Sequence, residues 1–201
     1  SYKLKDTNSL VEEFMLLGNC LVAKRIVDAY PKLAILRRHP VPDKARFDNL
    51  VKVAKHAGFE LNVDSNKELA DSLDKAVLPD HPYFNRLLRI LTTRCMTQAV
   101  YFPAGEVPPE LFYHYGLAAP IYTHFTSPIR RYADDMVHRL LAAAEGYAPL
   151  PEEYRQKDFM TSATEIMNFR HYNAQMAGRD SVELFTILFF NNKNEKATGV
   201  I

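Results

Sequence analysis

Residues 124–135 read HFTSPIRRYADD, and the placement of this stretch decides how the second half of the chain folds. Taken as a helix start, Ser127 is the N-cap and Pro128 the first helical residue, where its missing N–H costs nothing. An apolar stripe then runs through Ile129, Tyr132, Ala133, Met136, Val137, Leu140, Leu141 and Ala144, the offsets of one helical face, and ends near Gly146. On this reading Arg130 occupies the third helical position, which a capping box reserves for Glu or Gln. The positive end of the helix dipole lies there too and disfavours a cation by up to about 1 kcal/mol. Two adjacent cations at such a place need a reason.

One reason is salt bridging, since Arg130–Asp134 and Arg131–Asp135 are i,i+4 pairs. With the cation first, such pairs stabilise by at most about 0.2–0.5 kcal/mol. The other is an anion site, because helix-start N–H groups, the Thr126 and Ser127 hydroxyls and an arginine fork together suit a phosphate. Tyr122, His124 and Phe125 precede the arginines, with Tyr113-His114-Tyr115 further upstream. Aromatics among arginines fit single-stranded nucleic acid, and they fit a hydrophobic core as well. Asp134 and His138 could reach one metal at i,i+4, but no spacing marks a third ligand. Asp134 and Asp135 diverge by about 100° and cannot form a dyad. The sequence has no phosphate-binding glycine loop, no G-x-S-x-G and no zinc spacing.

Working outward, 201 residues with 47% hydrophobic and 24% charged content can bury one sizeable core. The net charge of +1 excludes a global pull toward nucleic acid or membranes, so a basic site must be local. Cys20 and Cys95 lie in apolar runs and read as buried free thiols of a reducing compartment. Without an apolar run near 18 residues or a signal peptide, the expectation is a soluble intracellular chain with no membrane partner. Ser9-Leu-Val-Glu12 predicts a capping box and a helix with apolar residues at Leu10, Val11, Phe14, Leu17, Leu21, Val22 and Ile26, ended by Tyr30-Pro31. Residues 35–42, ILRRHPVP, read as a connection. Asp43 caps a helix that ends at Gly58, FELNV is extended, Ser65-Asn-Lys-Glu68 opens a short helix, and His81-Pro82 opens a longer one. Residues 100–120 read as short strands or irregular segments, and about 152–190 as one long helix.

HYGLAAPIYTHFTSPIRRYADD, residues 114–135, with MVHRLLAAAEGY after it, closely resembles the catalytic domain of the ribonuclease II/ribonuclease R (RNB) family. SLVEEFMLLGN (9–19), LLRILTTRCMTQAVYF (87–102) and NFRHYNAQMAGRDSVELF (168–185) also match, most closely the eukaryotic members that serve as the exosome's 3′-to-5′ exoribonuclease subunit. The resemblance implies an α+β fold: residues 1–195 would be the C-terminal, mostly helical part of an RNB catalytic domain, and 196–201 the start of an S1-type β-barrel. It implies processive hydrolysis of single-stranded RNA in exosome-linked processing and decay. The partners would be RNA and exosome core subunits, and the location nucleus, including nucleolus, and cytoplasm. Arg130 would be catalytic, at the phosphate beside the scissile bond. His124, Thr126, Ser127, Arg131, Glu13 and Asn19 would lie along the RNA. The family's Mg2+ is held by aspartates absent from this sequence, so the chain would be the non-cutting part of a longer enzyme. Gly178 stands where bacterial members usually carry an acid. A catalytically inactive relative that binds RNA or scaffolds a complex is the alternative, and a helical protein-interaction module a third reading.

Overall fold

The structure, a computed structural model, describes residues 5–191 and 193. The anticipated barrel strand at 196–201 lies outside them. Six α-helices are joined by 3-10 turns and one small sheet: α1 Asp6–Ala29, β1 Ile35–Arg38, α2 Asp48–His56, α3 Asn66–Lys75, α4 Phe84–Cys95, β2 Val100–Pro103, α5 Tyr132–Ala144 and α6 Lys157–Phe190. This is the α+β, mostly helical architecture expected from the sequence.

Two hydrophobic cores divide the work. One joins α1, the sheet, α5 and the first turns of α6 through Ala23, Ile26, Leu36, Met136, Leu140 and Met160. The other is a satellite of α2, α3 and α4 around Phe47, Leu50, Leu69 and Leu88. Each fully buried large aliphatic stabilises by roughly 1.5–3 kcal/mol. Helix α3 begins where its Ser65 cap predicts, whereas Asp43 caps the 3-10 turn Lys44–Phe47 that leads into α2, and α4 begins at Phe84, just past His81-Pro82. The Asp43 carboxylate accepts from Ala45 N at 3.1 Å, and Ser65 Oγ accepts from Glu68 N at 3.2 Å. Gly58 and Gly146, at φ +85° and +75°, take the left-handed residue after α2 and α5 that favours glycine.

Three expectations are corrected. Residues 35–38 of the supposed connection form β1, antiparallel to β2 with Leu36 opposite Phe102 and Arg37 opposite Tyr101. Arg37 N also donates to Tyr122 O at 2.8 Å, so the 121–123 segment flanks β1 on its other side. Helix α1 starts three residues before Ser9, and its predicted stripe faces outward: Leu10, Val11, Phe14, Leu17 and Leu21 are exposed, while Asn19, Ala23 and Ile26 face the core. Periodicity identifies residues that avoid water but not which surface covers them. Helix α5 begins at Tyr132, four residues later than the Pro128 start that a Ser127 cap would give. Ile129 and Tyr132 therefore leave the stripe, which is Ala133, Met136, Val137 and Leu140.

Helix α6 runs 34 residues, about 51 Å. It is clamped to the sheet by Asn168, whose Oδ1 accepts from Tyr101 N and whose Nδ2 donates to Tyr101 O, both at 2.8 Å. One amide side chain thus satisfies the free backbone edge of β2 as a neighbouring strand would. Beyond residue 181 the helix carries Val182, Leu184, Phe185 and the run Ile187–Phe190, all exposed.

Candidate nucleic-acid interface

Residues 127–130 form a tight turn, closed by Arg130 N donating to Ser127 O at 3.3 Å. Proline after the first residue suits such a turn as well as it suits a helix start. What selects the turn is Asp134. Its fully buried carboxylate accepts Ser127 N at 2.7 Å and takes both arms of Arg131, Nε at 2.7 Å and Nη2 at 2.8 Å. The opening puzzle thus has a structural answer. The third helical position belongs to an acid, Asp134, and Arg130 stands outside the helix. The expected i,i+4 pairs are replaced by one i,i+3 pair, Arg131–Asp134, with side chains 19% and 0% exposed. Burial pushes the Asp134 carboxyl up, but the Arg131 fork and the Ser127 N–H outweigh it and hold it below the usual range.

The two arginines therefore have different jobs. Arg131 is tied to Asp134, whereas the exposed Arg130 has no side-chain partner among the described residues. Beside it Ile129 is 96% exposed, so the turn projects from the surface.

The loop leading into the turn is held from below by α1. Asn19 is buried, with Nδ2 donating to Tyr122 OH at 3.0 Å and Oδ1 accepting from Phe125 N at 2.9 Å. Both ends of its amide fix the path of the loop. Thr123 Oγ1 donates to Ile35 O at 2.7 Å, and the Phe125 ring stacks on His138 with centroids 4.4 Å apart. His138 Nε2 lies 2.8 Å from Phe125 O, so it serves this loop rather than a metal. Thr126 Oγ1 is buried with no partner of its own, and Ser127 is half-buried at the turn. Glu13 is exposed on α1, six residues before Asn19.

His124 is half-buried, with Nδ1 2.5 Å from Tyr101 OH. Burial first, then the cations Arg131 and Arg37, lower its pKa to about 3, so the ring is neutral near pH 7. Burial, His39 and Arg37 lower His114 to about 4. Neither ring can offer a positive charge to an anion. Arg37, over the Tyr101 ring at 4.6 Å, is the cation common to both sites, and the sequence reading passed over it, as it passed over Tyr101 and Asn168. The signal for Arg37 was its place in a strand beside Arg38, invisible while 35–42 read as a connection.

Among the described residues no group of three His, Cys, Asp or Glu side chains could hold a metal ion. No helix among them is long and apolar enough to cross a membrane. Cys20 and Cys95 are free, and burial raises both thiols above their ordinary pKa.

The profile of a family described as RNB domain matches residues 1–146. The chain is 53% identical over 192 residues to "Exosome complex exonuclease RRP44 homolog A" of Arabidopsis thaliana, which covers 96% of this chain and 20% of that protein. It is 54% identical over 191 residues to "Exosome complex exonuclease RRP44" of Mus musculus, covering 95% and 20%. The chain thus spans about a fifth of the length of these curated relatives. Among solved structures, yeast Ssd1, described as a pseudonuclease, superposes with a TM-score of 0.69 at 33% identity over 79% of this chain and 19% of its own. The apo form of Mycoplasma genitalium RNase R gives 0.77 at 23% identity over 97% and 30%, a likeness of fold.

Proposed function

The chain belongs to the RNB-domain family, and on that premise we propose that it forms the arginine-bearing part of a processive, hydrolytic 3′-to-5′ exoribonuclease acting on single-stranded RNA. The observation that carries the reading is the contrast within the arginine pair: Arg131 is spent on Asp134, and Arg130 is presented, unpaired, on a projecting turn. An unpaired guanidinium on a turn whose backbone is held by Asp134 is suited to negative charge that grows on a phosphate during cleavage. Arg131, Asp134 and Asn19 position that turn. His124 stays neutral and contributes hydrogen bonding rather than charge, and the Thr126 and Ser127 hydroxyls border the same strand path. Glu13 lies along α1 on that path. The parent protein would act with exosome core subunits in RNA processing and decay, in the nucleus, including the nucleolus, and the cytoplasm.

The described residues do not fit a metal site. The family's magnesium would be held by residues outside this chain, and these 201 residues alone would not cut RNA. The curated relatives at 53–54% identity carry exonuclease names, which favours a working enzyme over the inactive alternative.

The test follows 5′-labelled single-stranded RNA with the full-length parent, with and without magnesium. Metal-dependent stepwise shortening is expected, slowed about 10- to 150-fold by Arg130→Ala through loss of a charge-assisted contact. A parent that binds RNA but never shortens it would establish the inactive relative instead. An Arg130→Ala protein with undiminished rate would remove the arginine from the mechanism.

A further inference from the structure

A second concentration of positive charge lies where α6 crosses the sheet. A cavity of about 520 Å³ opens there, lined by Arg37 from β1, Arg46 before α2, Arg94 at the end of α4 and Arg179 on α6. No acidic residue lines it, and none of the four arginines forms an ion pair among the described residues. In a chain of net charge +1 this is a local excess that packing does not require. Four like charges around one cavity repel one another unless an anion joins them.

Hydrogen-bonded polar side chains line the cavity wall. Gln98 Nε2 donates to Gln175 Oε1 at 3.1 Å, and Gln175 Nε2 lies 3.2 Å from His171 Nε2, a chain that ties the segment before β2 to α6. Burial and then Arg37 lower the His171 pKa, which disfavours its charged form, so the arginines supply the positive charge. Tyr172 lines the cavity with its ring half exposed, a face on which a base can stack. Arg37 also connects the cavity to the turn, because it covers Tyr101, whose hydroxyl meets His124, and His124 feels both Arg37 and Arg131. Arg37 therefore lies between the cavity it lines and the loop that leads to the turn.

We propose that this cavity is a second RNA subsite, in which Arg37, Arg46, Arg94 and Arg179 grip backbone phosphates of the strand whose scissile phosphate lies at Arg130. The proposal rests on the exoribonuclease reading and adds a place where the strand is held without being cut. RNA phosphates suit it better than an acidic protein segment, because Arg37 links the cavity through Tyr101 to the loop before the Arg130 turn and Tyr172 offers an aromatic face beside the arginines.

The test measures binding of a fluorescent oligouridylate to the full-length parent, without divalent metal, across a range of salt. Arg94 and Arg179 are exposed, so Arg94→Ala with Arg179→Ala leaves the core intact. Each phosphate contact on a single strand contributes about −0.7 to the slope of log K against log salt. The double variant is expected to flatten that slope by about 1.4 and to weaken binding roughly 10- to 100-fold at 0.1 M salt. Lysine at both positions should restore the slope. An unchanged slope, with Arg130→Ala still slowing cleavage, overturns the subsite and leaves the exoribonuclease reading standing. An unchanged slope with a lowered Tm assigns the arginines to the stability of the fold and likewise overturns it. A wild-type parent that neither binds nor shortens RNA removes both.

Discussion

Arg130 and Arg131 are neighbours in sequence, yet replacing each should give opposite phenotypes. Arg131→Ala leaves the Asp134 carboxylate buried without its cation, a change that costs about 3–5 kcal/mol. Arg130→Ala removes no contact within the described chain and should leave Tm nearly unchanged while slowing RNA cleavage. Thermal melts of the two variants separate the roles, and an equal loss of Tm would contradict them. The histidines add a pH dependence. With folded pKa values near 3 for His124 and near 4 for His114, the unfolded chain binds these protons first as pH falls below about 6.5. Stability is then fully present above that pH and lost progressively below it, by roughly 2 kcal/mol per histidine at pH 5. The depressed Asp134 carboxyl acts lower still: its contribution is present above the unfolded pKa of about 3.8 and is lost as pH falls through the folded value. Urea unfolding from pH 7 to 5 should give a falling midpoint for the wild type and a shallower fall for His124→Gln.

At the scale of elements, Asn168 holds α6 against β2 with two hydrogen bonds to one residue's backbone. Asn168→Ala should cost about 1–3 kcal/mol, since it leaves the Tyr101 N–H and C=O unpaired. Faster hydrogen exchange at Tyr101 would report the freed edge, and unchanged exchange would refute the clamp. The same elements show what a sequence can disclose. The start of α3, and that of the 3-10 turn before α2, were legible because Ser65 and Asp43 cap within three residues of themselves. The start of α5 was not, because Ser127-Pro128 serves a turn as well as a helix, and the choice depends on a carboxylate seven residues on. Arg130 was legible as an anion-binding candidate from its neighbours. Arg37 was not, because its setting requires a strand partner 64 residues away, at Tyr101.

At the scale of the molecule, two apolar faces among the described residues lie without cover, the outward stripe of α1 and the far end of α6. Apolar patches of this kind bind hydrophobic dyes and promote association. The 201-residue chain should therefore bind such a dye strongly, and Phe14→Ser with Leu17→Ser should reduce the signal without lowering Tm. A signal indifferent to both changes would place the patch elsewhere. The turn that presents Arg130 is closed over two very different lengths of chain: Ser127 to Asp134 spans 7 residues, and Asn19 to Phe125 spans 106. Loop-closure entropy makes the longer link costlier by about 2.4 kcal/mol, so the two are made at different stages of folding. The turn can form as soon as α5 does, as a local knot around one carboxylate, and it acquires its final orientation only when α1 arrives with Asn19. A chain caught between those stages would own a finished arginine turn aimed in the wrong direction.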